Sequence, residues 1–115
     1  MGIVTFKTDT VQACIDACEQ CYQACMECFN LCLEEGVLPL RKNCISLLAG
    51  CAMICNMTAF KMSMSALITK EYCQLCAQIC NACAAECSKF EDDYTLICAD
   101  VCRRCAEECS IMLAG

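Results

Sequence analysis

The chain has 115 residues, 18 of them cysteine and none histidine or tryptophan, with 14 acidic and 8 basic residues and a net charge of −6. Without histidine there is no Cys-His or Ser-His nucleophile pair, no His-containing zinc or haem site, and no imidazole switch near neutral pH. The Lys and Arg residues never run to more than two in a row (Arg41-Lys42, Arg103-Arg104), so the clustered positive charge of a nucleic-acid surface is missing.

The first ten residues carry neither a positive n-region nor an apolar h-region, and Phe6 stands where a myristoylation pattern wants Ser or Thr. The expected compartment is the cytoplasm, where thiols stay reduced and dense cysteine reads as metal binding before disulfides. The first predicted helix spans about residues 9–35 and carries Cys14, Cys18, Cys21, Cys25, Cys28 and Cys32 at steps of 4, 3, 4, 3 and 4. Asp9 with Gln12 resembles a capping box before it, and Gly36 is a natural stop after it.

The second predicted helix spans about residues 39–62, with Pro39 in its first turn. It carries Cys44, Cys51 and Cys55, and Leu48 fills the missing step. Within it, Asn43 to Phe60 is 18 residues without a charge, at the lower edge of a membrane-spanning length. Asn43, Ser46, Asn56 and Thr58 interrupt the apolar run and its cysteines share one face, which predicts a buried bundle helix and no membrane partner.

The third predicted helix spans about residues 65–88, after a turn and N-cap at Ser63-Met64-Ser65, and carries Cys73, Cys76, Cys80, Cys83 and Cys87. A charged connection, Lys89 to Asp93, leads to the fourth, about residues 93–113, capped by Asp92 or Asp93. It carries Cys98, Cys102, Cys105 and Cys109, and Met112 continues the period.

Alternating steps of 3 and 4 are the a/d seam of a heptad, and every cysteine fits it within its own group. Four helices joined by short loops predict an all-α fold, an antiparallel up-down-up-down four-helix bundle with a cysteine-lined core, as one domain over 1–115. On the first helix Ile15, Tyr22 and Phe29 lie on one flank of the seam and Ala17, Ala24 and Leu31 on the other, placed to pack helix on helix. Gly50, Ala52, Ala84 and Ala99 are small enough for close approach.

Eight pairs have the form C-x-x-x-C, and residues i and i+4 of a helix share a face with Cβ atoms about 5–6 Å apart. Two such thiolates converge on one soft metal without bending the backbone, and thiolates select Cu(I), zinc or iron–sulfur clusters. Cu(I) takes a pair plus one sulfur from a facing helix, whereas zinc demands four ligands. Iron–sulfur ligation usually draws cysteines from loops wrapped around the cluster, which this chain lacks. Eighteen buried thiolates need compensating charge, and about as many Cu(I) ions supply it. A high copper load with bridging sulfurs follows. Without metal the neutral thiols act as small hydrophobes, so the empty bundle is expected to stay folded.

Antiparallel topology gathers Cys32, Cys44, Cys87 and Cys98 at one end, ringed by Glu34, Glu35, Glu91, Asp92 and Asp93. The other end gathers Val11, Thr58, Phe60, Met62, Met64, Leu67, Thr69 and Met112. Metal is expected to pass the acidic end, with the Met/Phe end as a plug.

The stretches Ala13 to Cys21, Glu71 to Cys83 and Cys102 to Cys109 carry a resemblance to the bacterial copper storage proteins, particularly their cytosolic branch, over about Val11 to Met112. The resemblance implies a four-helix bundle that stores many Cu(I) ions on its interior cysteines, is not an enzyme, and forms homo-oligomers, with a tetramer favoured. Carried over residue by residue, the metal ligands are all 18 cysteines named above. Relatives often place histidines near the connection into the last helix, and here Lys89 to Thr95 has none. The alternative functions are a general thiolate buffer for zinc, cadmium or silver, and a thiol–disulfide redox protein, the latter disfavoured because its C-x-x-C steps lie mid-helix on a core face.

Overall fold

The computed structural model describes residues 2–36, 40–65 and 67–114. It contains four helices: α1 (Asp9–Glu34), α2 (Lys42–Met64), α3 (Thr69–Cys87) and α4 (Asp93–Ala114). The helix starts differ from the sequence expectation for local reasons. Thr8 caps α1: its backbone is extended and its hydroxyl accepts from the Val11 amide at 3.3 Å. Asp9 is already helical, so it cannot be the cap, and serves as the first-turn acid facing the positive end of the helix dipole. Gln12 turns forward to Asp16, at 2.9 Å, instead of back to a capping partner. Gly36 follows α1 with φ of +68°, the left-handed turn that glycine takes without a Cβ penalty.

Residues 40 and 41 form a turn, so α2 starts at Lys42 and not at 39, and Pro39 itself lies outside the described residues. At its other end α2 absorbs Ser63 and Met64. Ser65 ends it in extended conformation, and its hydroxyl accepts from the Leu67 amide at 3.1 Å. Ser65 is therefore a stop for α2 and not the cap of α3. Ile68 then sits at φ of 62°, outside the helical region, and α3 begins only at Thr69.

Each helix backbone packs on two neighbours in the cyclic order α1, α2, α3, α4, and the diagonal pairs meet through thiols across a central column, as where Cys55 of α2 lies 3.8 Å from Cys105 of α4, in a molecule 44 Å long. All 18 cysteines are buried, and with Ile15, Ile45, Leu48, Ile54, Met62 and a set of alanines they are the core. Ala52, Ala84 and Ala99 are buried at helix contacts as expected of small residues. Gly50 is not used this way: a Cβ there would meet nothing within 4 Å. On the flank of α1, Ile15 is buried and Phe29 packs against the core, whereas Tyr22 is 41% exposed. Helix α2 is long and apolar enough to cross a membrane by length and composition, and half of its most apolar window is buried inside the bundle. Its outward side exposes Met53, Met57, Phe60 and Met64.

Candidate metal centre

The thiols line one continuous column because each helix sends its seam inward. Three groups bring four Sγ atoms within 4.8 Å of one another: Cys18/Cys76/Cys105/Cys109, Cys21/Cys55/Cys80/Cys105 and Cys21/Cys25/Cys51/Cys102. Two more bring three together, Cys14/Cys73/Cys109 and Cys28/Cys87/Cys98. Cys109, Cys105 and Cys21 each belong to two groups, so adjacent groups are joined by shared sulfurs. The Cys98 thiol reaches Cys25 at 4.0 Å and links the last triad to the rest.

Nearest sulfur spacings between helices are short. Cys51 and Cys55 lie 3.6 Å from Cys80, Cys21 lies 3.7 Å from both Cys51 and Cys102, and Cys105 lies 3.7 Å from Cys18. With metal–sulfur bonds of about 2.3 Å, three- or four-coordinate geometry places sulfurs about 3.8–4.0 Å apart. The column is therefore spaced for thiolate metals before any metal arrives. Spacing alone does not choose among them. The shared sulfurs fit a chain of bridged ions, whereas isolated four-ligand sites need sulfurs of their own.

Three cysteines fall outside these groups. Cys44 pairs with Cys87 at 3.7 Å. Cys83 is buried between levels, its thiol pushed above the ordinary range chiefly by Cys102. Cys32 is fully buried beneath Arg41, whose guanidinium it faces. Leu48 is also fully buried, on the seam step where α2 lacks a cysteine.

Protons in the column are unevenly held. Hydrogen bonds to Cys102, then Cys105, Cys25 and Cys51, pull the Cys21 thiol below its ordinary range. Cys102 and then Cys21 push Cys25 above it. At the acidic end Cys87 pushes Cys44 up, aided by burial, while Cys28 and then Cys44 pull Cys87 down. A thiolate surrounded by S–H donors is stabilised, and each donor in turn keeps its proton.

The two ends are built differently from each other. At the acidic end Arg41 forms an ion pair with Asp92, stacks 4.2 Å over the Phe90 ring and donates to the Tyr94 hydroxyl at 3.3 Å. Tyr94 donates to Glu35 at 2.9 Å. Burial and then the Glu35 carboxylate push the Tyr94 hydroxyl above its usual range. Burial opposes the charge of Arg41, but Asp92 outweighs it and holds the guanidinium above its usual range. This cover was not foreseen from sequence, since it joins the α1–α2 connection to the α3–α4 connection and the start of α4, which are distant in the chain.

At the other end the expected plug is only partly formed: Thr58, Met62 and Thr69 are buried there and Val11 and Met112 pack against the core. Phe60, Met64 and Leu67 are 65%, 67% and 73% exposed and point away from the column. The N-terminal segment crosses this end instead, with the Lys7 ammonium donating to the carbonyls of Met62 at 3.0 Å and Ser63 at 3.2 Å. Phe6, Lys7, Thr8, Val11, Met62, Ser65, Thr69, Lys70 and Met112 line a pocket of about 360 Å³ there. Nothing in the first eight residues signals this role by pattern.

Against known proteins, residues 7–114 match the family model described as copper storage protein. No curated protein sequence matches the chain. Among solved structures it is similar to a Cu(I)-bound copper storage protein, BsCsp3, at 43% identity and TM-score 0.87, covering 91% of this chain and 99% of that one. It is similar to the apo copper storage protein 3 of Bacillus subtilis at 43% identity and TM-score 0.81, covering 89% and 97%. It is also similar to a cytosolic copper storage protein of Streptomyces lividans loaded with five coppers, at 34% identity and TM-score 0.88, covering 93% and 94%.

Proposed function

Since the chain belongs to the copper storage protein family, we propose that it is a cytosolic store that holds many Cu(I) ions on all 18 core cysteines. The observation that carries this reading is the joining of thiol groups through Cys21, Cys105 and Cys109. A column of shared thiolates neutralises its own charge when Cu(I) ions fill it, which separate sites would not do. Cys32 and Cys44 extend the column at the acidic end, and Cys83 adds a ligand between its levels.

The work is storage and not catalysis. What supports this is that, among the described residues, all the cysteines are buried on the inner seam. The cytosolic placement is supported by the Streptomyces lividans neighbour, which is described as cytosolic. A homo-oligomer is supported by the exposed stripe Met53, Met57, Phe60 and Met64 on α2, an apolar face suited to a second copy, and a tetramer is the form the family resemblance favours. Copper is admitted at the acidic end, where Glu35 and Asp92 attract the cation and Cys44 and Cys87 receive it.

Anaerobic titration of the reduced protein with Cu(I) against a competing chelator tests the reading. Saturation near one ion per cysteine, 18 in all, supports it. A plateau at five ions, one per sulfur group, favours the alternative, a general thiolate buffer for zinc, cadmium or silver with separate sites.

A further inference from the structure

At the N-terminal end of the column the sulfur set does not stop at cysteine. The Cys73 thiol donates to the Met62 thioether at 3.9 Å, a spacing equal to that between the column thiols. Met62 is 3% exposed, and the same Cys73 belongs to the Cys14/Cys73/Cys109 triad. Cys109 is divided between two groups, 3.7 Å from Cys14 and 4.0 Å from Cys18. An inner ion drawing on Cys109 leaves Cys14 and Cys73 as the only thiols belonging wholly to the end group. We propose that Met62 completes this end, making a mixed thioether–thiolate site for one terminal Cu(I) at the floor of the pocket beneath residues 6–8.

The chemistry balances without redox. Cu(I) forms bonds to the Cys14 and Cys73 sulfurs, two S–H bonds break and two protons pass to solvent. The Met62 sulfur contributes a lone pair and loses nothing. Two thiolates on Cu(I) leave one negative charge, and the Lys7 and Lys70 side chains line the pocket directly outside. Thioethers select soft ions such as Cu(I), and a neutral thioether holds less tightly than a third thiolate. The terminal ion is therefore the one most readily given up, and the pocket of about 360 Å³ above it gives a small acceptor room to approach.

The inference rests on the Cu(I)-storage reading, and its test separates the two. The reduced full chain, labelled with 13C at its methionine methyls, is titrated with Cu(I) and separately with Zn(II). The Met62 methyl resonance, identified by its loss in Met62→Leu, should move with Cu(I) and stay with Zn(II). The Cu(I)-loaded Met62→Leu protein should hand its first ion to a chromophoric chelator at least about tenfold faster, since losing even an outer-shell partner costs about that much. Met112→Leu, in the same pocket, should leave the rate unchanged. An unmoved Met62 resonance, or equal effects of the two leucine variants, overturns the Met62 site. The methyl measurement uses the unaltered chain, so it stands even if Met62→Leu folds poorly. A wild-type load far below one ion per cysteine is a different failure, that of the storage reading.

Discussion

Single cysteines in this column are not equivalent, although the sequence pattern treats them alike. Cys21 lies within 4.0 Å of Cys25, Cys51 and Cys102, and belongs to two sulfur groups. Cys32 is equally buried but belongs to none, and faces Arg41. Cys21→Ser should therefore lower the chelator-resistant copper content by about two ions, and Cys32→Ser by at most one. Metal analysis of each protein after an identical chelator challenge checks this, and equal losses would mean that no sulfur is shared. Serine keeps the size of the side chain, so the comparison is between ligands and not between cavities.

Helices and their junctions were legible to different degrees. The cysteine seam marked all four helices because burial of one face is a repeating constraint along each of them. The junctions answer to single residues, and there competing local bonds decided the outcome. The sequence places Ser65 in the turn and cap before the next helix, whereas in the fold its extended backbone ends α2 and its hydroxyl accepts from the Leu67 amide. Ile68 then takes a left-handed backbone at 60% exposure, where a β-branched side chain is disfavoured by about 1–2 kcal/mol. Ile68→Gly should stabilise the empty protein by about 1 kcal/mol, seen as a higher denaturant midpoint with an unchanged slope. The Arg41 cover is a second junction feature. Removing it with Arg41→Ala should speed copper uptake severalfold and leave the final content alone, because Arg41 closes the end and supplies no ligand. Stopped-flow uptake no faster than wild type would place the point of admission elsewhere.

At the scale of the whole molecule, folding is expected to precede loading. Most thiols pack as neutral groups in the empty bundle, a few such as Cys21 and Cys87 are held below the ordinary range by S–H neighbours, and loading replaces the remaining protons with copper. At neutral pH an ordinary thiol is protonated, since its pKa is about 8.5, so loading should release close to one proton for each thiol converted to thiolate. Protons are products of that exchange. Uptake at fixed free copper must therefore weaken as pH falls and strengthen as it rises. Thiols such as Cys21, held below the ordinary range by Cys102 and its other neighbours, give fewer protons, and those such as Cys44, held above it by Cys87, give them up last. A pH-stat titration measures the yield, and helical circular dichroism should stay constant throughout. Copper uptake without proton release would mean that the resting column is already ionised.

The sequence by itself determined the bundle, the inward face of each helix and the full set of buried thiols, because a seven-residue repeat of one side-chain type leaves one way to bury it. It also determined the class of metal, because softness belongs to the sulfur and not to its position. Tertiary structure decided which sulfurs are shared, and it decided both ends. Whether Cys109 leans toward Cys14 or Cys18, whether Arg41 reaches Phe90 and Asp92, and whether Lys7 ties the first residues to Met62 all depend on relative helix positions. Those positions are set by distances across the bundle. A period read along one chain segment fixes angles around a helix axis, and contains no information about how far the next helix has slid along it.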